Sequence, residues 1–296
     1  MAPKPRISLV QSDAEASVRG EVPLPEIEKE AETVVAVSTA PSLSPIRRVL
    51  RLASRYSLLL LLFVVWELFS RNYPGLAMLL PAPSEVIKGG VELVKDGTLQ
   101  KDILASLKRV GVALGVASLI GFPLGTVLGS SRRFAWVVEP VVNFFRPIPP
   151  LAWIPLSIVW FGITDAQNEF IIFLGAFFPI VISTMQGVRD VDRQLIRAAL
   201  TLGASRIAIA FTVVLPSALP FMIVGLRVGT GIAWMALVAG ELVAATSGLG
   251  FLISQGRLLF RSDYIIVGMV MIGLIGLLLD AMIRFAQRLI MRWREE

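Results

Sequence analysis

Three charged side chains in this chain stand where charge is expensive. Arg146, Arg227 and Glu241 lie within or beside long apolar stretches. At membrane depth a charge costs several kcal/mol unless it is paired or hydrated. The chemistry open to them is recognition of ions rather than bond-making. No cysteine and no histidine occurs, which excludes disulfides, thiol chemistry and Cys/His metal sites. No Ser/His or paired-acid constellation is legible, so no catalytic and no metal-binding residue is assigned. No Gly-x-x-x-x-Gly-Lys-Ser/Thr phosphate loop occurs either, so a nucleotide-driven step needs another subunit. Trp153, Trp160 and Trp234 accompany the charges, as interface anchors, packing groups or ligand stackers. Structural roles compete for the charges too: Arg146 can snorkel to an interface, and Glu241 can hydrogen-bond within a helix bundle. Arg227 and Glu241 are about 21 Å apart on a continuous helix. They cannot pair there, and each needs a partner elsewhere.

The elements that must hold these residues are membrane helices. The chain is 55% hydrophobic with a mean hydropathy of +0.74, well above a soluble domain. Apolar runs near the roughly 20 residues needed to cross a bilayer recur along it. They predict about six spans, near 56–71, 106–129, 134–161, 169–188, 216–245 and 264–283. The fold class is all-α and polytopic, because only helices and closed barrels satisfy their backbone in lipid. No barrel-like alternation is present. Gly111 and Gly115, then Gly121, Gly125 and Gly129, then Gly225 and Gly229 recur every fourth residue, which predicts close helix packing. Four prolines, Pro147, Pro149, Pro150 and Pro155, break the third span beside Arg146. Broken backbone at this depth is tolerated where it is buried or lines a cavity.

Arginine sets the orientation. Arg47, Arg48, Arg51 and Arg55 precede the first span, Arg132 and Arg133 follow the second, and Arg189, Arg193, Arg197 and Arg206 follow the fourth. Arg284, Arg288, Arg292 and Arg294 follow the sixth. All fall on one side of a six-span chain, which the positive-inside rule makes cytoplasmic, with both termini. Lys108, Arg109, Arg257 and Arg261 fall on the other side and blur the pattern. The net charge of +6 therefore reads as topology, not nucleic-acid binding. Residues 1–45, rich in proline and glutamate, read as a disordered cytoplasmic tail. They do not read as a cleavable signal peptide, because the apolar block starts too late. Residues 46–100 hold the first span and an outer-surface segment, in which Ser84 is read as the N-cap of a helix reaching about Lys95.

Residues 189–210 form a loop with a shape to present. Leu195, Ala198, Ala199 and Leu202 share a helix face, with Arg193 and Arg197 off it. Gly203 can take a helix-ending conformation with φ > 0. Ser205 can cap a second short helix, and Pro216 suits the first turn of the fifth span. A helix–turn–helix knuckle is expected.

This knuckle resembles a known loop. Ala198-Ala199, three residues, Gly203, nine residues and Val213-Val-Leu215-Pro216 follow the coupling-loop pattern of bacterial ABC importer permeases. Arg197 stands where that family usually has Glu. Arg146-Pro147 through Leu156, Trp160-Phe161-Gly162, Gly225-Leu226-Arg227, Ala233-Trp234 and Ala239-Gly240-Glu241-Leu242 look similar to the taurine, sulfonate and nitrate branch. The resemblance covers about 81–290 and makes 101–290 a type I ABC permease domain.

The resemblance implies a transport subunit rather than an enzyme. It implies a second copy of the permease, two ATPase subunits that carry ATP and Mg, an external substrate-binding protein, and the bacterial inner membrane. It assigns Arg197, Ala198, Ala199, Gly203, Leu215 and Pro216 to ATPase coupling. Arg146, Trp153, Arg227, Trp234 and Glu241 become the expected translocation path. The expected cargo is a small anion, taurine or another sulfonate first, with nitrate or bicarbonate as alternatives. An ion-coupled secondary transporter is the competing class. It ordinarily shows inverted repeats and a midplane ion site, which the scattered Glu67, Glu241 and Asp280 do not make.

Overall fold

The computed structural model describes residues 57, 61–73, 75 and 79–291. The chain divides into two compact units, Met1–Leu62 and Phe63–Glu296, and the description below concerns the second. The expected tail at 1–45 lies outside the described residues, as does the start of the first span.

Helices account for every regular element among the described residues. Residues 63–72 of this unit are helical (α1). A surface helix, Pro83–Lys95 (α2), precedes the long Thr98–Ser130 (α3) and Arg132–Phe145 (α4). A 3₁₀ turn at Pro150–Trp153 leads into Ile154–Phe161 (α5), followed by Asp165–Arg189 (α6) and the short Arg193–Thr201 (α7). Arg206–Ile209 (α8) passes through a π-helical turn, Ala210–Val214, directly into Leu215–Ala244 (α9). Leu249–Leu258 (α10) and Ser262–Ile290 (α11) complete the set.

Four stretches are long and apolar enough to cross a membrane: Thr98–Ser130, Asp165–Arg189, Arg206–Ala244 and Ser262–Ile290. The third predicted span, 134–161, is not one straight helix. It is the pair α4 and Pro150–Phe161, bent by 85°. Pro147, Pro149 and Pro150 remove three amide donors across the bend. The other spans run past the apolar windows that predicted them, because helix bonding continues into amphipathic ends.

α6 is the central post, packed against both α3 and α9. Lipid tails are as apolar as leucine, so helices in a bilayer associate by close packing rather than by leaving water. The glycine rows supply that closeness. A Cβ at Gly121 would meet Ile180 at 2.8 Å, at Gly125 the Val181 carbonyl at 2.7 Å, and at Gly225 Ser183 at 2.7 Å. Gly111 and Gly115 depart from the expectation: a Cβ at either meets nothing within 4 Å.

The N-cap of α2 is Ala82 rather than Ser84, with Pro83 in the first turn. Ser84 is engaged elsewhere. Its amide and hydroxyl donate to Glu67 at 3.0 and 2.8 Å, and Arg71 pairs with the same carboxylate at 2.6 Å. The charge that interrupts the first apolar block is thus matched across to α2.

Candidate translocation and coupling sites

The knuckle forms with both ends capped. The Asp192 carboxylate accepts from the Gln194 amide at 2.8 Å and starts α7. At its end Gly203 has φ +79°. There Ala204 N–H donates to Ala199 O and Gly203 N–H to Leu200 O, both at 3.0 Å. That pair of bonds is the Schellman closure, and it needs a left-handed residue at the glycine position. The Ser205 hydroxyl then accepts from Ala208 N–H at 3.2 Å and caps α8. Pro216 sits in the first turn of α9, although that helix is continuous with α8. Because Pro216 has no N–H for the Thr212 carbonyl, the chain winds through the π turn just before it.

Ile196 and Ala199 turn inward and are half-buried, whereas Arg197 and Ala198 are exposed. Leu195 and Leu202 stand 52% and 87% exposed beside Ala198. One helical stripe of apolar side chains therefore faces out from a capped, turn-locked element, as an interaction surface does.

The break between α4 and α5 opens a cavity of about 270 Å³. Arg146, the C-cap of α4, lines it with Pro150, Phe178, Ser183, Val228 and Ile232. The walls thus come from the break, α6 and α9, and the cavity carries one guanidinium. Trp153 lies just beyond, half-buried, its ring 5.9 Å from that of Phe145.

The other expected path residues are employed differently. Glu241 is 1% exposed. Its carboxylate accepts from Arg109 at 2.7 Å, from Ser106 at 2.9 Å and from the Gly250 amide at 2.9 Å. Arg109, 3% exposed, also binds Asp165 at 2.6 Å and the Ser247 carbonyl at 2.6 Å. Gly248 N–H donates to Asp102 at 2.8 Å. This hub ties α3, α6, α9 and the turn before α10 together inside the bundle. Trp234 is 8% exposed and donates from its indole to the Ile272 carbonyl at 3.1 Å, which locks α9 to α11. Arg227 pairs with Asp280 on α11 at 2.7 Å. Arg227 and Glu241 do each find a partner elsewhere, as their separation requires. Glu241 is a core group, whereas Arg227 and Trp234 together line a small cavity of about 150 Å³ between α9 and α11, with Gly276 and Asp280. Arg109 was legible only as a misplaced charge at the outer edge of a span. The need of Glu241 for a cation was the one signal pointing to it.

On the same side of the bundle as this hub, Arg261 joins Glu92 and Asp263, each at 2.8 Å, and stacks over Tyr264 at 4.0 Å. Hydrogen bonding to Arg261 holds the exposed Glu92 carboxyl below its ordinary range. The Asp263 and Glu92 carboxylates push the Arg261 guanidinium further up.

A family model described as "Binding-protein-dependent transport system inner membrane component" matches residues 119–295. The chain belongs to this family. A probable ABC transporter permease protein of Brucella abortus is 45% identical over 74% of this chain and 88% of its own length. The taurine transport system permease protein of Escherichia coli is 37% identical over 80% and 88%. The nitrate import permease protein of Synechocystis is 32% identical over 77% and 86%. The solved inward-facing methionine ABC transporter shares the fold, with a TM-score of 0.55 at 23% identity over 64% of this chain and 93% of that one. The protein is thus a multi-pass ABC importer permease of the taurine, sulfonate and nitrate branch. Both the knuckle and the cavity fall inside the matched region, and Arg109 lies outside it.

Proposed function

We propose that this permease carries a small organic anion, a sulfonate such as taurine first, across the inner membrane in an ATP-driven cycle. The observation that supports the anion is the lone guanidinium of Arg146 in the cavity at the helix break. At about 270 Å³ that cavity is at the small end of ligand sites. Two copies of the chain pair, and each docks an ATPase through the stripe at Leu195, Ala198 and Leu202. ATP and Mg reside on those ATPases, and an external binding protein delivers the cargo. Movement of the knuckle passes through the unbroken α8–α9 run to the cavity wall at Val228 and Ile232. This chain orients the anion, excludes lipid and changes access; it makes and breaks no bonds. Nitrate is the alternative cargo, on the strength of the relative that carries that name.

Uptake of labelled taurine, counted per assembled complex with binding protein saturating, tests the reading. Arg146→Ala is expected to lose most of its rate with assembly retained. Equal rates for wild type and variant would remove Arg146 from the route. A loss matched by lower complex yield would make it a folding residue.

A further inference from the structure

A second, larger cavity of about 740 Å³ lies at the other end of the bundle from the Arg109 hub, where α4, α6 and α7 meet. Arg132, Arg189, Arg193, Glu139 and Trp136 line it. Arg189 and Glu139 neutralise each other at 2.9 Å. Arg132 and Arg193 have no ion-pair partner among the described residues. Three arginines against one glutamate leave a cavity with two unmatched positive charges. The start of α4 adds its positive dipole end, capped only by the neutral Ser131 hydroxyl. Asp192, the nearest acid in sequence to Arg193, is turned to cap its own helix.

Trp136 stands at this cavity 82% exposed, and Val137, Val141 and Phe144 continue down α4 at 54–69% exposed. An aromatic at the level of the arginines, with an apolar strip leading away, has the layout of a membrane interface. Tryptophan settles at headgroup depth, and the strip meets acyl chains. Basic pockets between membrane helices on the cytoplasmic side take phospholipid headgroups.

From this we infer that the cavity is a site for an anionic phospholipid. Its phosphate lies between Arg132 and Arg193, the Trp136 ring sits against the glycerol region, and the acyl chains run along Val137, Val141 and Phe144. A lipid held there also touches α7, so it braces the coupling knuckle from the membrane side. The lipid site is independent of the cargo reading; its place on the cytoplasmic side and its brace on the knuckle rest on the orientation and coupling role proposed above.

The test uses the transporter complex as purified, titrated with phosphatidylglycerol, with phosphatidylcholine and with inorganic phosphate. Retained lipid is counted by native mass spectrometry, and ATPase stoichiometry is read from the same spectra. Wild type is expected to retain phosphatidylglycerol at one per permease, with no retention of phosphatidylcholine and no competition from inorganic phosphate at matched concentration. Arg132→Gln/Arg193→Gln is expected to weaken retention about tenfold. Arg133→Gln/Arg206→Gln removes the same charge at the same end but off the cavity, and is expected to keep it. Equal loss in both pairs would reduce the effect to general surface charge and overturn the site. Displacement by inorganic phosphate would make it a free-anion site instead. Unchanged lipid with lost ATPase would make it part of the docking surface. If the double variant does not assemble, Arg132→Gln alone, on an exposed side chain, is expected to weaken retention by about threefold; no change there overturns the proposal equally.

Discussion

At the scale of single residues, the decisive question is what a buried charge is for. Glu241 sits 1% exposed with three kinds of donor around it, and Arg109 reaches two carboxylates and a carbonyl from an almost closed position. Removing one member of a buried pair leaves the other uncompensated, which costs about 3–5 kcal/mol. Arg109→Met is therefore expected to be the harsher change, since it strands Glu241 and releases Asp165 and Ser247 together. Glu241→Gln keeps the shape and leaves Arg109 its Asp165 contact, and is expected to cost less. Thermal unfolding of the purified permease and the yield of complex read both effects. Uptake per surviving complex is expected to stay near wild type for Glu241→Gln; a collapse there with normal stability would return Glu241 to the transport route. Sequence placed the cost of Glu241 and held two purposes open, a wall of the path and a hydrogen-bonded place in the bundle, but it did not name the partners. Its side-chain partners, Ser106 and Arg109, lie more than 130 positions away, and no local pattern announces such a contact.

At the scale of elements, legibility follows how local the determinants are. The knuckle was readable because a Schellman closure, the Ser205 cap and a first-turn proline are each set by a few neighbouring residues. Its one unread cap, Asp192, is local too. The α4–α5 break was readable as a break, from its prolines, but not as an 85° bend, since the angle depends on packing against α6 and α9. The short α10 falls between the fifth and sixth predicted spans, unannounced, because ten residues cannot show a membrane-length apolar run. Gly111 and Gly115 carry the same spacing as Gly121 and Gly125, yet only the latter face a helix of the same protomer. Spacing tells which residues share a face, not what covers it. Gly203 makes the sharpest element-scale prediction. A Cβ there meets nothing within 4 Å, so the cost of Gly203→Val is backbone strain at φ +79°, about 1–2 kcal/mol. That is enough to fray α7 and too little to unfold the bundle. Membrane insertion is expected to be normal, with co-purifying ATPase and uptake both reduced. Normal ATPase stoichiometry together with normal uptake would count against this loop as the coupling element.

At the scale of the whole molecule, the contacts sort the charges into two ends. The Arg189–Glu139 pair brings the end of α6 beside α4, and α7 follows at the same end. Arg132, Arg133, Arg193, Arg197 and Arg206 gather there, joined by Arg284 and Arg288 near the close of α11. The Arg109 hub collects Asp102, Asp165, Glu241 and Ser247 at the opposite end. The Arg261 cluster adds Glu92 and Asp263 to that side. One end is thus rich in arginine with few acids, and the other is mixed, with Arg109 and Arg261 tied to carboxylates. Of the four cations that blurred the count in sequence, Arg109 and Arg261 are paired here, and Lys108 and Arg257 have no ion pair among the described residues. The arginine excess at the first end still outnumbers them, which is what the positive-inside rule counts. The arginine-rich end is expected to face the cytoplasm. Because the chain has no cysteine, single thiols report sidedness without a background. Gln194→Cys on α7 and Ser205→Cys at the start of α8 lie at the arginine-rich end, and Lys95→Cys at the end of α2 lies at the other; all three positions are exposed. An impermeant maleimide added to intact cells is expected to label Lys95→Cys alone, and to reach the other two only after the membrane is opened. Ser205→Cys gives up its capping hydroxyl, about 1 kcal/mol, so Gln194→Cys is the cleaner reporter. Labelling of Gln194→Cys in intact cells, with Lys95→Cys silent, would invert the molecule and place the knuckle out of reach of any cytoplasmic ATPase.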